Sequence, residues 1–209
     1  MRVAAVFAAP AFRLGSCGIV GSGGSGSGGS SSSGRKSGPI CGSGEIIGKP
    51  VPRVDGPGDC GIRRPAQISS VGGVALTPAV TVICETAQAL NGWVATAAKP
   101  EFARAGETLA SMRVAARYAC RTRNSRAGGR LSEHAKGNAI DISALTFRSG
   151  ESVTVASDWR DTEFGPMLQA IHSGACGTFG TTLGPGSDGH HEDHLHYDLA
   201  RHSNGPYCR

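Results

Sequence analysis

Seven cysteines spread from Cys17 to Cys208, none in a CxxC pair, constrain this chain more than any other feature. Without such pairs neither a structural zinc knuckle nor a thioredoxin-type motif is expected, and the wide spacing reads as disulfides made in an oxidising compartment. Seven is odd, and Cys17 stands apart from the rest in its surroundings. The other six are Cys41, Cys60, Cys84, Cys120, Cys176 and Cys208. They suffice for three bridges, whose pairing the spacing leaves open.

Cys17 ends the segment MRVAAVFAAPAFRLGSC, which has a basic start, an apolar stretch and small residues before the cysteine, as an export signal does. Leu14-Gly15-Ser16-Cys17 resembles a bacterial lipobox, where the signal is cut and the cysteine takes up lipid, but Arg13 interrupts the apolar region. Two readings stay open: membrane attachment through lipidated Cys17, or a plain start. Residues 21–38, GSGGSGSGGSSSSGRKSG, cannot bury apolar surface and read as a flexible tether. The expected organisation is a signal or lipoprotein signal over 1–20, a Gly/Ser/Pro-rich tether over 21–57 and one folded domain over 58–209. Such a protein is exported, to the periplasm or cell envelope.

Composition removes two classes of function. The longest apolar run, Val3 to Phe12, contains Pro10 and is too short for a bilayer, so a polytopic membrane protein is excluded. The net charge of +5 is concentrated before residue 58, which leaves the expected domain at +1 and without the basic stripe that phosphate binding needs. Nucleic acid is therefore not an expected partner. Aromatic residues are only 5%, so the core must rest on Val, Ile, Leu and Ala.

Thr77-Pro78 reads as a helix start, and Val80, Ile83, Cys84, Ala87 and Leu90 continue at helical spacing, predicting a helix over 78–97. Strands are expected over 111–118, 139–143, 152–156 and 194–199, and a second helix around Phe164 to Ile171. The sum is an α+β domain with a small, mainly antiparallel sheet and helices packed on one side.

Two stretches carry chemistry. In His194 to Leu199 the alternation places His194, His196 and Asp198 on one strand face, with Leu195, Tyr197 and Leu199 on the other. In Ala139 to Ser143 the carboxylate of Asp141 lies among apolar neighbours, and a buried charge must be paired or metal-bound. His134 lies seven residues earlier, with Gly137 between to turn the chain. His134, Asp141 and one of His194 or His196 form a candidate three-ligand set, which leaves a fourth position for water as catalytic zinc sites do.

SEHAKGNAID, residues 132–141, resembles the SxHxxGxAxD signature of zinc D-alanyl-D-alanine carboxypeptidases, which are grouped with lysostaphin-type peptidases and the hedgehog signalling domain. DHLH at 193–196 is similar to the elements that complete such sites. YACRTRN, GACGTFGTTLGPGSDGHHEDHLHYDL and the terminal YCR also resemble the bacterial extensin-like C-terminal family, from about Cys60 to Arg209. The resemblance implies that His134, Asp141 and His196 bind Zn2+. It further implies that Asp193 is the general base, His194 the second histidine of the site, and Arg121 the substrate-contacting arginine, with Arg123 as the alternative. The implied function is hydrolysis of peptide amides in peptidoglycan, with a zinc-stabilised, non-catalytic envelope module as the competing reading. Glu133, at a variable motif position, is expected to be solvated, Trp93 and Trp159 are expected to pack, and Arg126 and Arg130 are expected to lie in a mobile loop.

Overall fold

The computed structural model describes residues 36–209. The signal, Cys17 and the tether as far as residue 35 lie outside the described residues. From Gly38 onward the chain is folded, so the expected tether ends about twenty residues too late. Gly38–Ile40 (β1) and Ser43–Pro50 (β2) form a hairpin at one end of the sheet. Val54–Asp55 (β3) and Gly61–Ile62 (β4) make a small separate ribbon, followed by Ala66–Val71 (β5) and Val74–Val82 (β6). Cys84–Trp93 (α1), a π-helical turn Val94–Ala98 and Lys99–Arg104 (α2) then cross to Leu109–Ala116 (β7). Ala139–Phe147 (β8), Ser152–Thr154 (β9), Val155–Asp158 (α3) and Gly165–Ser173 (α4) come next. Thr181–Leu183 (β10), Leu195–Asp198 (β11) and Tyr207–Cys208 (β12) complete the chain.

The architecture is α+β around a mixed, mostly antiparallel sheet of ten strands, larger than anticipated. Its order is β1-β2-β5-β6-β7-β8-β11-β10-β12, with β9 also on β8. Only β6–β7 and β10–β12 are parallel. The first of these needs a long crossover, which the α1–α2 segment supplies.

Pro78 does not open a helix. It lies inside β6, where the β5 ladder jumps from Val80 to Ala75 and the β7 pairing has already ended at Thr77, so its missing N–H breaks no ladder bond. The expected helix is therefore a strand up to Val82 and a helix only from Cys84. Likewise the expected strand over 152–156 stops at Thr154, whose hydroxyl accepts from the Ser157 N–H and caps α3.

One core fills the helical face of the sheet. Trp93 is fully buried, donates its indole N–H to the Ile171 carbonyl at 2.8 Å and meets Tyr197 edge-on at 5.2 Å. Ile140, Ile142, Leu145 and Phe147 of β8 all join it. Strict alternation forbids that set. Ser143 is an extra residue between the pairs Val114↔Ile142 and Arg113↔Ala144, and this bulge resets the parity of β8. Three disulfides, Cys41–Cys84, Cys60–Cys120 and Cys176–Cys208, use all six cysteines of the described residues.

Candidate metal centre

The centre lies on the sheet face opposite the helices. β8 and β11 pair antiparallel with His196 directly across from Asp141, and Ile140 and Tyr197 pointing the other way into the core. Two donors thus meet by register alone. His134 arrives on a 3₁₀ turn, Glu133–Lys136, started by the Ser132 hydroxyl, which accepts from the His134 N–H. Gly137 ends that turn at φ +70°, and a Cβ there would lie 2.6 Å from Ile62 Cδ1. The Gly137 carbonyl accepts from the Ile83 N–H at 3.1 Å and the Thr86 hydroxyl at 3.0 Å, so the start of α1 clamps the turn.

His134 Nε2 lies 3.1 Å from Asp141 Oδ1 and 3.2 Å from His196 Nδ1, and the last two atoms are 2.7 Å apart. All three residues are buried. Three donors on a tetrahedral ion with bonds of about 2.0–2.1 Å stand about 3.3–3.4 Å from one another, so a small expansion of this triangle accepts one ion. Electrostatics point the same way. Burial opposes ionisation of Asp141, yet bonds to His134 and His196 hold it far below the ordinary carboxylate range. Burial alone would lower His196, but Asp141 and Asp198 raise it to about 9, so the network without an ion keeps a proton as its cation. A divalent ion would compete with that proton for the same atoms. His196 Nε2 donates to Asp198 Oδ2 at 3.0 Å, and Asp198 Oδ1 accepts from the Ala200 N–H, which leaves Nδ1 for the ion.

The triangle opens into a cleft of about 660 Å³. His194 and Asp193 stand at its edge, bonded to each other at 2.7 Å, with His194 Nε2 3.6 Å from Asp141 Oδ2. Asp193, with a side chain 75% exposed, is thus paired with His194 and is not among the buried donors. Arg121 and Arg123 lie on the cleft wall, and the Cys60–Cys120 bridge tethers the backbone beside Arg121. The 121–131 loop is a hydrogen-bonded hairpin, with the Arg123 N–H on the Arg130 carbonyl and the Thr122 hydroxyl on the Arg126 carbonyl. Glu133 is not solvated: it is buried, accepts from Asn138 at 2.9 Å and lies 3.7 Å from Arg123.

His191 was not distinguishable from its exposed neighbours in sequence. It is buried, its Nδ1 lies 2.6 Å from Asp188, and its ring stands 5.0 Å from His194 and 5.4 Å from His196. Burial lowers its pKa more than Asp188 raises it, so Nδ1–H donates to Asp188 and Nε2 is left as an acceptor. The signal was Asp188 three residues upstream, on the turn closed by Gly189.

A family profile described as Extensin-like protein C-terminus matches residues 42–209. The chain belongs to that family. No curated protein and no solved structure matches the chain. The family match covers every residue of the candidate centre in this extensin-like domain, together with all of the sheet from β2 onward.

Proposed function

We propose that this extensin-like domain is an exported zinc-dependent peptidase-like hydrolase acting on peptide amides of peptidoglycan stem peptides. The observation that carries the reading is the convergence of His134 Nε2, Asp141 Oδ1 and His196 Nδ1 at the floor of an open cleft. Two imidazole nitrogens and one carboxylate suit zinc, and SEHAKGNAID with DHLH supports kinship with the zinc D-Ala-D-Ala carboxypeptidases and a hedgehog-like sheet. Bound there, the ion supplies Lewis acidity towards a carbonyl and acidifies water to near neutrality.

The protein groups do the rest. Asp193 holds His194 by its Nδ1–H, so His194 Nε2 is the proton-accepting atom that faces the triangle. The proton lost by the attacking water goes to this pair and from it to the leaving amine. Arg121, on the cleft wall, stabilises charge developing on the carbonyl oxygen. Three disulfides support an oxidising, extracytoplasmic site of action, and lipidated Cys17 is the proposed membrane attachment.

The test is digestion of purified muropeptides with metal content measured alongside. Parent protein is expected to carry one zinc and to release shortened peptides. Asp193→Ala is expected to keep the zinc and lose cleavage by about a hundredfold or more. Undiminished cleavage by that variant overturns the role of the pair, and a zinc-loaded parent that cleaves nothing leaves the non-catalytic envelope module.

A further inference from the structure

A second hollow of about 500 Å³ adjoins the cleft, and both are lined by Ala115 and Asp193. Its lining includes Arg113, Ser143 and Thr154. Arg113 is exposed, yet it is not a free surface arginine: its Nε donates to the Ser143 hydroxyl at 3.1 Å. Ser143 is itself buried, held in place by the β8 bulge. This bond restrains the guanidinium, and among the described residues no carboxylate lies within ion-pair distance of it. Asp193, the acid that shares the hollow, is bonded to His194 instead. A guanidinium that lines a groove, tethered through Nε and with no other hydrogen bond among the described residues, suits a bidentate carboxylate.

Position sets what that carboxylate belongs to. Ser143 lies two residues beyond Asp141 on the same strand, a rise of at most roughly 7 Å because the bulge at Ser143 shortens it. Extended peptide covers about 3.3–3.6 Å per residue, so this interval corresponds to about two residues of substrate. We infer that the Arg113 hollow is a substrate subsite for a free carboxylate carried one or two residues from the amide presented to the metal centre. The inference rests on the peptidase reading for the identity of the ligand as a peptide, and it assigns that peptide an anionic requirement. Both a chain-terminal carboxylate and an acidic side chain satisfy it.

The experiment measures affinity of the metal-stripped full chain, its fold verified by near-ultraviolet circular dichroism, for three dansylated peptides. These are N-acyl-Lys-D-Ala-D-Ala, its C-terminal amide, and an amide in which the last residue is D-Glu. The peptide with the free terminus, the D-Glu amide or both are expected to bind about tenfold tighter than the neutral amide, and the arm that gains identifies the source of the carboxylate. Arg113→Gln should erase the preference without weakening the neutral amide. Arg113→Lys should restore part of it, since charge survives but the fork does not. The same ratios are expected in KM for the zinc-loaded chain. Equal affinity for all three peptides, a preference that survives Arg113→Gln, or no binding at all overturns the subsite. Tight carboxylate-selective binding without hydrolysis sinks the peptidase reading and leaves the subsite standing, while hydrolysis indifferent to the carboxylate does the reverse.

Discussion

At the level of single residues, the centre depends on which nitrogen of His196 is free. Asp198 accepts the Nε2–H of His196, so the nitrogen that faces Asp141 and His134, and that would bind an ion once its own proton is lost, is Nδ1. Both Asp198 oxygens are occupied, one by His196 and one by the Ala200 N–H, so the carboxylate cannot turn away. Asp198→Asn keeps the shape but allows the amide to present its NH2 to Nε2, which favours the wrong tautomer. Zinc affinity, read by competition with a chromophoric chelator, is expected to fall by about 10–100-fold with the fold unchanged. An affinity equal to the parent's would show that register alone orients His196. Alternation on a strand made Asp141, His196 and Asp198 legible but left His194 equal to His196, a choice only the motif resemblance made, while His134, on a turn, stood out by its place before Gly137 in SEHAKGNAID. Glu133 and His191 were not read as buried: the partners of Glu133, Asn138 and Arg123, and the rings beside His191, His194 and His196, lie within about ten residues of them in sequence, but nothing in the pattern says that the intervening turns fold them together.

Among elements, the turn after His134 is the joint between sheet and helices. Gly137 is held by Ile62 on its α-carbon side and by Ile83 and Thr86 on its carbonyl, and its φ of +70° favours glycine. Gly137→Ala is expected to cost about 1–3 kcal/mol in denaturant unfolding, combining backbone strain with the clash on Ile62. Gly150→Ala is the control: φ is +97° but nothing stands within 4 Å, so only the strain is paid there. A Gly137 variant no less stable than the Gly150 variant would refute the clash. The periodicities that located β8 and β11 failed at Pro78 for an identifiable reason. Val80 and Val82 alternate in a strand and Cys84 to Leu90 recur in a helix, and the two sets happen to join at helical spacing. The bulge at Ser143 was equally hidden, since an inserted residue leaves no mark on composition.

In the molecule as a whole, the disulfide pairing follows the sheet order and was therefore out of reach of the cysteine spacing alone. Cys176, just after α4, meets Cys208 because β12 runs parallel to β10 at the sheet edge. The same junction contains His172 of α4, whose Nε2–H donates to the Arg209 carbonyl at 3.0 Å and whose ring stacks on Tyr197 and meets Trp159 edge-on. Burial lowers the His172 pKa, and the bond to Arg209 only partly offsets it. The folded state therefore prefers neutral imidazole, while the unfolded chain titrates near the ordinary value of 6.5. Stability from this group is complete above that value and is lost as the pH falls below it towards the folded pKa, because the unfolded chain then binds the extra proton. In chelator, where metal loss does not contribute and His196, raised to about 9, works in the opposite direction in both proteins, the melting temperature of the parent relative to His172→Gln is expected to fall by several degrees between about pH 7.5 and about pH 5. His172→Gln, which keeps a donor for the Arg209 carbonyl but has no titrating ring, should be less stable at the upper pH and lose less on acidification. Parallel curves for the two proteins would place the acid sensitivity of the fold elsewhere.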